Sequence, residues 1–577
     1  MMPNKWLSAA VSALLVLTSH QVSAQQPSEA KGEIKSETKN DINKAKLNTP
    51  DISEQRQQHL RGAITAERAW WDVKHYQLSM TVDIGDRSFS GENIITYQVI
   101  DNAKELQIEL QAPMKLEAAV QAGQSLAIRQ EGYSYFISPN ELQQIGQEYQ
   151  LTLTFSGQPH EAKNAPWDGG ITWSEDEGGM PFIASSNQGI GASIWWPNKD
   201  HGYDEPDRGI DMLIEVPRPL FNVSNGRLIN IEDQGDSRVF HWRVINPINN
   251  YGVNINIADY VNFAEQYQGE NGVLDMDYYV LRANEEKARV HFGDARRTIE
   301  ALEHWFGPYP FYQDSYKLVE APYLGMEHQS SVTYGNKYQQ GYKGRDLSET
   351  GWGLKWDFLI IHETAHEWFA NSITAKDVAD LWIQESFTTY AEGLFVEYHY
   401  GKAAGAEYLR GQRQNIRNDK PMIGTYHQHE VGSYDIYPKG ANMLHTLRQL
   451  IDDDSKWREI LRGLNKVFYH QTVTTQQVED YIATQSGLVL NKFFDQYLRD
   501  SRIPVLEYRL MDGEFKARWR HVVDGFAMAI PAKFTGGVAS DQQNFALTTD
   551  WQTFELSQGA TGIQWDKNYY IAQLLIE

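Results

Sequence analysis

The sequence predicts a multidomain protein with an N-terminal β-sandwich-like domain, an α+β domain with a small sheet and many helices, and a small C-terminal β domain. Three observations predict it. The chain's 577 residues exceed what one hydrophobic core serves, so about two to four domains are expected. From Tyr76 apolar and polar residues alternate, the period of half-buried strands. From Asn284 the spacing turns helical, and after Pro504 it alternates again.

The elements follow in order. Lys5, the apolar run Leu7 to Leu17 and the small residues Val22-Ser23-Ala24 have the layout of a secretory signal, which sets a mature start at Gln25. Residues 25–62 are polar, nearly free of aromatics and expected to be a disordered or loosely helical leader. Residues 63–266 form the β domain. Tyr76 to Val82 and Ile94 to Val99 pair there across the turn Gly85-Asp86-Arg87. Its stretch 157–205 is rich in Gly, Pro and Trp and reads as loops on a rigid sheet. Residues 267–500 form the α+β domain, with helices over 284–306, 353–371, 377–399, 402–417, 438–452, 454–468, 474–485 and 489–499. Strands are expected at 315–319 and 328–333. Residues 501–577 form the last β domain. The sequence contains no internal repeat.

Charge and composition narrow the partners. A net charge of −24 argues against nucleic acid and anionic membrane surfaces. The acidity fits a well-solvated surface, and also a preference for cationic substrates. There is no cysteine, so disulfides, thiolate metal sites and a lipoprotein anchor are excluded. No later segment is long and apolar enough to span a bilayer. Export as a protein without a membrane anchor is expected: periplasmic in a Gram-negative source, otherwise secreted. The oligomeric state is not legible.

The stretch His362-Glu363-Thr364-Ala365-His366 carries the chemistry. Histidines at i and i+4 share one helix face, about 6 Å apart at Cβ, which suits two imidazoles on one metal ion. Glu385 completes a two-His, one-carboxylate set with a fourth position open, the arrangement of catalytic zinc. Glu363 is one step round the helix, near the metal but not on it. At this composition a chance His-Glu-x-x-His arises in roughly three of a hundred chains, and the added glutamate lowers that to roughly two in a thousand.

With Glu-Trp-Phe-Ala-Asn following His366, and Trp382-Ile-Gln-Glu-Ser-Phe-Thr-Thr-Tyr-Ala-Glu after that, the chain resembles the gluzincin zinc aminopeptidases of the aminopeptidase N and leukotriene-hydrolase type. It looks like a short three-domain bacterial member, without the large helical C-terminal domain common in that family. Ser386 stands where the family usually has Gly. The resemblance implies a thermolysin-like catalytic domain, one Zn²⁺ per chain and peptide substrates with a free N-terminus.

It also implies roles. Tyr323-Leu324-Gly325-Met326-Glu327-His328 matches the family's G-x-M-E-N at Met326 and Glu327, with Gly325 in the small position and His328 replacing Asn. The family's glutamate here binds the substrate α-amino group, and an ammonium leaving water does need a charge-assisted partner. Gln188 stands where the family has Gln or Glu assisting that glutamate. Tyr437-Pro438-Lys439-Gly440 resembles the family's Y-x-K-G, whose tyrosine donates to the oxyanion, with Tyr434 as the competing candidate. The expected set is therefore Glu363 and Tyr437 for catalysis, Glu327, Gln188, Gly325 and Met326 for substrate, and His362, His366 and Glu385 for metal. A zinc endopeptidase and a non-catalytic peptide-binding protein on the same fold are the alternatives. The residue removed is open. Tyr323 and Met326 suggest an apolar side chain, and the net charge leans towards Lys or Arg.

Overall fold

Two large hydrophobic cores organise the chain. The computed structural model describes residues 52–536 and 542–576, so the expected signal and most of the expected leader lie outside the described residues. The first core is built from Trp70 to Leu281 and lies between the sheets of the β region. Its main sheet has eight strands. Trp71–Asp83 is central and pairs antiparallel with Ser88–Val99 and parallel with Ile210–Pro217. A four-stranded and a three-stranded sheet complete the region. The alternation read in the sequence is the cause: along Ile210–Pro217 every second residue is buried.

The second core joins the helical region to the C-terminal strands. Phe387, Leu444, Trp457, Phe515, Trp519 and Trp565 belong to one continuous cluster. The four-stranded and three-stranded C-terminal sheets pack Phe515, Phe534, Phe545, Phe554 and Trp565 between them, and this aromatic cluster is continuous with the core of the helices.

Five expectations change. The stretch 157–205, expected as loops, holds Gly170–Glu175 and Pro181–Ser186, two paired strands of the four-stranded sheet. Residues 53–62 are not leader. Glu54–Gly62 is a helix, capped by Ser53 accepting from Arg56 N at 3.2 Å. Its composition is polar because it lies on a surface, yet Leu60 and Gly62 are buried. The β domain ends earlier than 266, because Tyr260–Gly269 pairs with Gly272–Leu281 in the five-stranded sheet that also holds Tyr316–Glu320. The helix expected over 353–371 is confined to Phe358–Ala365. Asp357 starts it by accepting from Leu359 N and Ile360 N at 2.9 and 3.4 Å, and a turn ends it where Asn371 N bonds His366 O at 3.0 Å. The strand expected at 328–333 is a turn, Ser331 N to His328 O, followed by the short strand Val332–Tyr334.

Candidate functional site

The metal-ligand set comes from two neighbouring helices. Phe358–Ala365 is apolar and buried almost all round, as a helix inside a core must be. Fifteen buried residues run along Trp382–Tyr400 from Trp382 to Val396, so it too is interior. Their contact brings Glu385 Oε2 to 3.8 Å from His362 Nε2 and 3.4 Å from His366 Nε2. The opposite ring nitrogens are tied off. His362 Nδ1 lies 2.8 Å from Glu392 Oε1, and His366 Nδ1 lies 2.9 Å from Phe369 O. Both Nε2 atoms therefore face Glu385, whose buried Oε2 has no hydrogen-bond partner of acceptable geometry. Two imidazoles and a carboxylate whose donor atoms all lie within 4.8 Å of one another fit a zinc ion. Burial alone would push Glu385 up, but the His366 and His362 rings outweigh it and hold the carboxyl below its usual range.

Glu363 is buried beside this set, and desolvation pushes it up to about 7, aided by the Glu327 charge and opposed by the His362 ring. Glu327, Glu363 and His366 form a second close group that shares a histidine with the first, so the two are one site rather than two.

The amine side is assembled from loops. Gln188 Nε2 donates to Glu327 Oε1 at 2.6 Å and to Glu385 Oε1 at 3.1 Å. Glu327 follows the two-residue strand Gly325–Met326. A Cβ at position 325 would meet Leu359 Cδ1 at 2.8 Å and Glu363 Cγ at 3.3 Å, so glycine lets this strand lie against the helix. Asn371 Nδ2 donates to Glu327 O at 2.9 Å. Met326 packs with Tyr323, Ala184 and Ala321. His328 is fully buried, with Nδ1 3.3 Å from Thr333 Oγ1, and burial pushes its pKa down to about 3, so it fills this position as a neutral ring.

Tyr437 and Tyr434 are separated by geometry. Tyr434 is 58% exposed. The Tyr437 ring stacks at 6.1 Å on His362, and burial, then the Glu385 and Glu327 charges, hold its hydroxyl well above the usual tyrosine range. Pro438 at the first helical position fixes the turn that presents it. Ser386, the departure from the family pattern, donates to Ile436 O at 2.6 Å and so pins the residue before Tyr437. Gly440 packs against Ser386, since a Cβ there would meet Ser386 Oγ at 1.8 Å.

Several residues of the site were not read from the sequence. Glu392 lies on the same helix as Glu385, and its Oε2 accepts from Tyr408 Oη at 2.6 Å and Gln412 Nε2 at 3.1 Å. The helical spacing of Glu385 and Glu392 was the available signal. Tyr251, from the β region, accepts from Gln384 Nε2 at 2.9 Å and stands close enough to Glu327 to oppose the rise that burial causes in that carboxyl's pKa. Nothing local in the sequence marks it.

Residues 291–497 match the family model described as the peptidase family M1 domain. The chain carries a peptidase family M1 domain. That domain holds every metal-ligand and catalytic candidate. Similar curated proteins include Aminopeptidase M1 of Arabidopsis thaliana, 20% identical over 62% of this chain and 42% of that protein. Aminopeptidase N of Lactobacillus helveticus is 26% identical over 43% of this chain and 31% of that protein. The chain thus spans about two-fifths of the length of the first curated relatives it matches. Among solved structures, an M1 zinc metallopeptidase from Deinococcus radiodurans superposes with a TM-score of 0.64 at 22% identity, covering 76% of this chain and 95% of that one. A mutant of that M1 zinc metallopeptidase bound to a Tyr-Ser-Ala substrate gives 0.63 at 22% identity over 75% and 95%. These likenesses establish a shared multidomain fold of sheets and helices.

Proposed function

We propose that this protein is a zinc-dependent aminopeptidase that releases the N-terminal residue of peptides. The observation that carries the reading is the single amide of Gln188 joining Glu327 to Glu385. An anionic anchor for an ammonium group stands beside the metal-ligand carboxylate. Each residue spans about 3.8 Å, so an amine held at Glu327 leaves room for one residue before the bond at the metal.

His362, His366 and Glu385 would hold a zinc ion, which when bound would supply Lewis acidity to the scissile carbonyl and to a water. Glu363, buried beside the metal-ligand set, takes the water's proton and returns it to the leaving amine. Tyr437 stays protonated and donates to the developing oxyanion. Glu327, Gln188 and Tyr251 hold the α-amino group, while Gly325 and Met326 line the adjoining backbone. The M1 domain and the tripeptide bound to the structural neighbour support this reading.

A chromogenic aminoacyl amide, with and without chelator, tests it. The parent protein should cleave the free-amine substrate, lose that activity to chelator and spare the N-acetylated substrate. Glu363→Gln should retain zinc by metal analysis and lose at least about a thousandfold in kcat. Full turnover in that variant, or equal cleavage of acetylated substrate, would falsify the proposal.

We also read the chain as three domains, the middle one thermolysin-like, and as an exported protein. The residues Lys5 to Ala24 support export. N-terminal sequencing of the expressed protein should begin at Gln25, and retention of Met1 would end that reading. Among the described residues no helix is long and apolar enough to cross a membrane.

A further inference from the structure

Loop 335–345 carries three exposed cations, Lys337, Lys343 and Arg345, in a chain of net charge −24. None of the three has an ion-pair partner among the described residues. Burial and the neighbouring charges of Arg345 and Lys337 lower the pKa of Lys343, as expected of cations gathered without a carboxylate.

The loop is fixed to the catalytic machinery. Asn336 Nδ2 donates to Gly341 O at 2.8 Å and to Asp357 Oδ1 at 3.1 Å, while its Oδ1 accepts from Lys343 N at 3.0 Å. Gly341 N bonds Trp356 O at 2.7 Å. Asp357 is the cap of the helix that carries His362 and Glu363. The loop backbone that carries the cations therefore holds a set position relative to that helix.

A chain of ring contacts runs from Lys343 to the metal-ligand set. The Tyr342 ring meets Phe358 edge-on at 5.3 Å, and Phe358 stacks on His362 at 5.1 Å. Tyr342 feels the charge of Glu363. From the β region, Trp167 is 48% exposed, and Lys343 Nζ lies 4.6 Å from its ring centroid and 5.5 Å from that of Tyr342. Ala165, two residues before Trp167, packs against the cluster of Tyr323 and Met326. Lys343 thus lies between a ring of the β region and a ring that packs on the metal-site helix. One end of the site gathers carboxylates, Glu327 among them, and the flank beside Phe358 gathers unpaired cations.

We propose that Lys343, with Lys337 and Arg345, forms a subsite for the C-terminal carboxylate of short peptides, so that both ends of a di- to tetrapeptide are read. This rests on the aminopeptidase reading above. A chain bearing −24 overall repels anionic substrates unless cations are placed locally to receive them.

The experiment compares KM for di-, tri- and tetrapeptides as free acids and as C-terminal amides, with an amide carrying an internal glutamate as a third arm. Among these lengths at least one free acid should bind about fivefold better than its amide, the scale of an exposed cluster of charge pairs. That ratio should shrink as salt rises from about 0.02 to about 0.5 M. Lys343→Met should move the ratio towards one, and Lys343→Arg should keep it. Equal KM for acid and amide in the parent protein overturns the subsite, as does a ratio indifferent to both salt and Lys343→Met. An internal-glutamate amide that binds as well as the free acid overturns the C-terminal assignment. Failure to cleave a free-amine aminoacyl anilide overturns the aminopeptidase reading itself, which separates the two failures.

Discussion

His362, His366 and Glu385 come from two adjacent helices and meet through one helix packing. Gln188 instead reaches Glu327 across 139 positions and Glu385 across 197. The metal half of the site is thus a property of local helix geometry, with each histidine oriented by a partner close to it in the fold. The amine half exists only when the β region and the M1 domain are pressed together, because its anchor, its amide and Tyr251 come from separate loops. The difference predicts two kinds of failure. Damage to the metal half should appear as metal loss, and damage to the amine half as weakened binding of a free N-terminus.

The largest expected effect of this comparison is on Glu392. It orients His362 through Nδ1 at 2.8 Å and is itself held by Tyr408 and Gln412. Removing such a partner typically costs about 10–100-fold in metal affinity. Glu392→Ala should therefore release zinc to a competing chelator about that much more readily, with the KM of the metal-saturated enzyme little changed. A variant that keeps parental zinc affinity and raises KM would show that the two halves are not separable.

How far the site was legible follows the same division. His362 and His366 were readable because helical spacing puts them on one face, with Glu363 one step round, and Glu385 because its residue type completes the ligand set from the next helical stretch. The β strands were readable from alternation, as along Ile210–Pro217. The boundary near 266 was missed because Tyr260–Gly269 alternates like its predecessors while pairing in another sheet, and pairing leaves no local mark. The docking of the helix Glu54–Gly62 onto the fold was missed because its surface composition matches that of a leader, disordered or loosely helical. Tyr251 was missed because its function comes wholly from a distant partner, Glu327. Glu327, Gln188 and Tyr437 were reached through family resemblance, and their spacing in the chain would not have joined them.

Arg61 sharpens the amine side with a smaller effect. Arg61 Nη2 and Gln111 Nε2 both donate to Ile190 O at 2.7 Å, two residues from Gln188. His429 Nε2 lies 2.9 Å from Gly189 O and 3.1 Å from Arg61 Nη2. Burial holds His429 down to about 3, so the neutral ring uses Nε2 for one of these contacts. The turn itself needs Gly191, whose φ is +93° and whose Cβ would meet Asp200 Oδ2 at 2.3 Å. A helix before the β region and a loop of the M1 domain thus clamp the segment that presents Gln188. Arg61→Ala should raise KM for free-amine substrates by about threefold to tenfold with kcat nearly kept, the scale of one lost hydrogen bond. In a Gln188→Ala background the same change should add little. A full additive loss there would mean that Arg61 acts through something other than Gln188.

The smallest effect concerns the seam itself. Glu205, from the β region, is buried and accepts from Thr374 Oγ1 at 2.6 Å, just beyond the metal-site helix. Desolvation pushes its pKa up to about 8 from 4.5, opposed by the Thr374 hydrogen bond and aided by the Asp204 charge. Between those values the folded protein keeps a proton that the unfolded chain releases. The stabilising contribution is therefore complete below about 4.5 and is lost as pH rises towards about 8. Glu205→Gln keeps an acceptor for Thr374 and has no proton to lose. Its Tm should come level with or below the parent near pH 5 and rise above it by a few °C, of order a few kcal/mol at most, by about pH 8. Parallel Tm profiles across that range would show that Glu205 is ionised in the fold and that the seam tolerates a charge. Because the amine half depends on this seam and the metal half does not, the pH-driven loosening should raise KM for free-amine substrates before any zinc is lost.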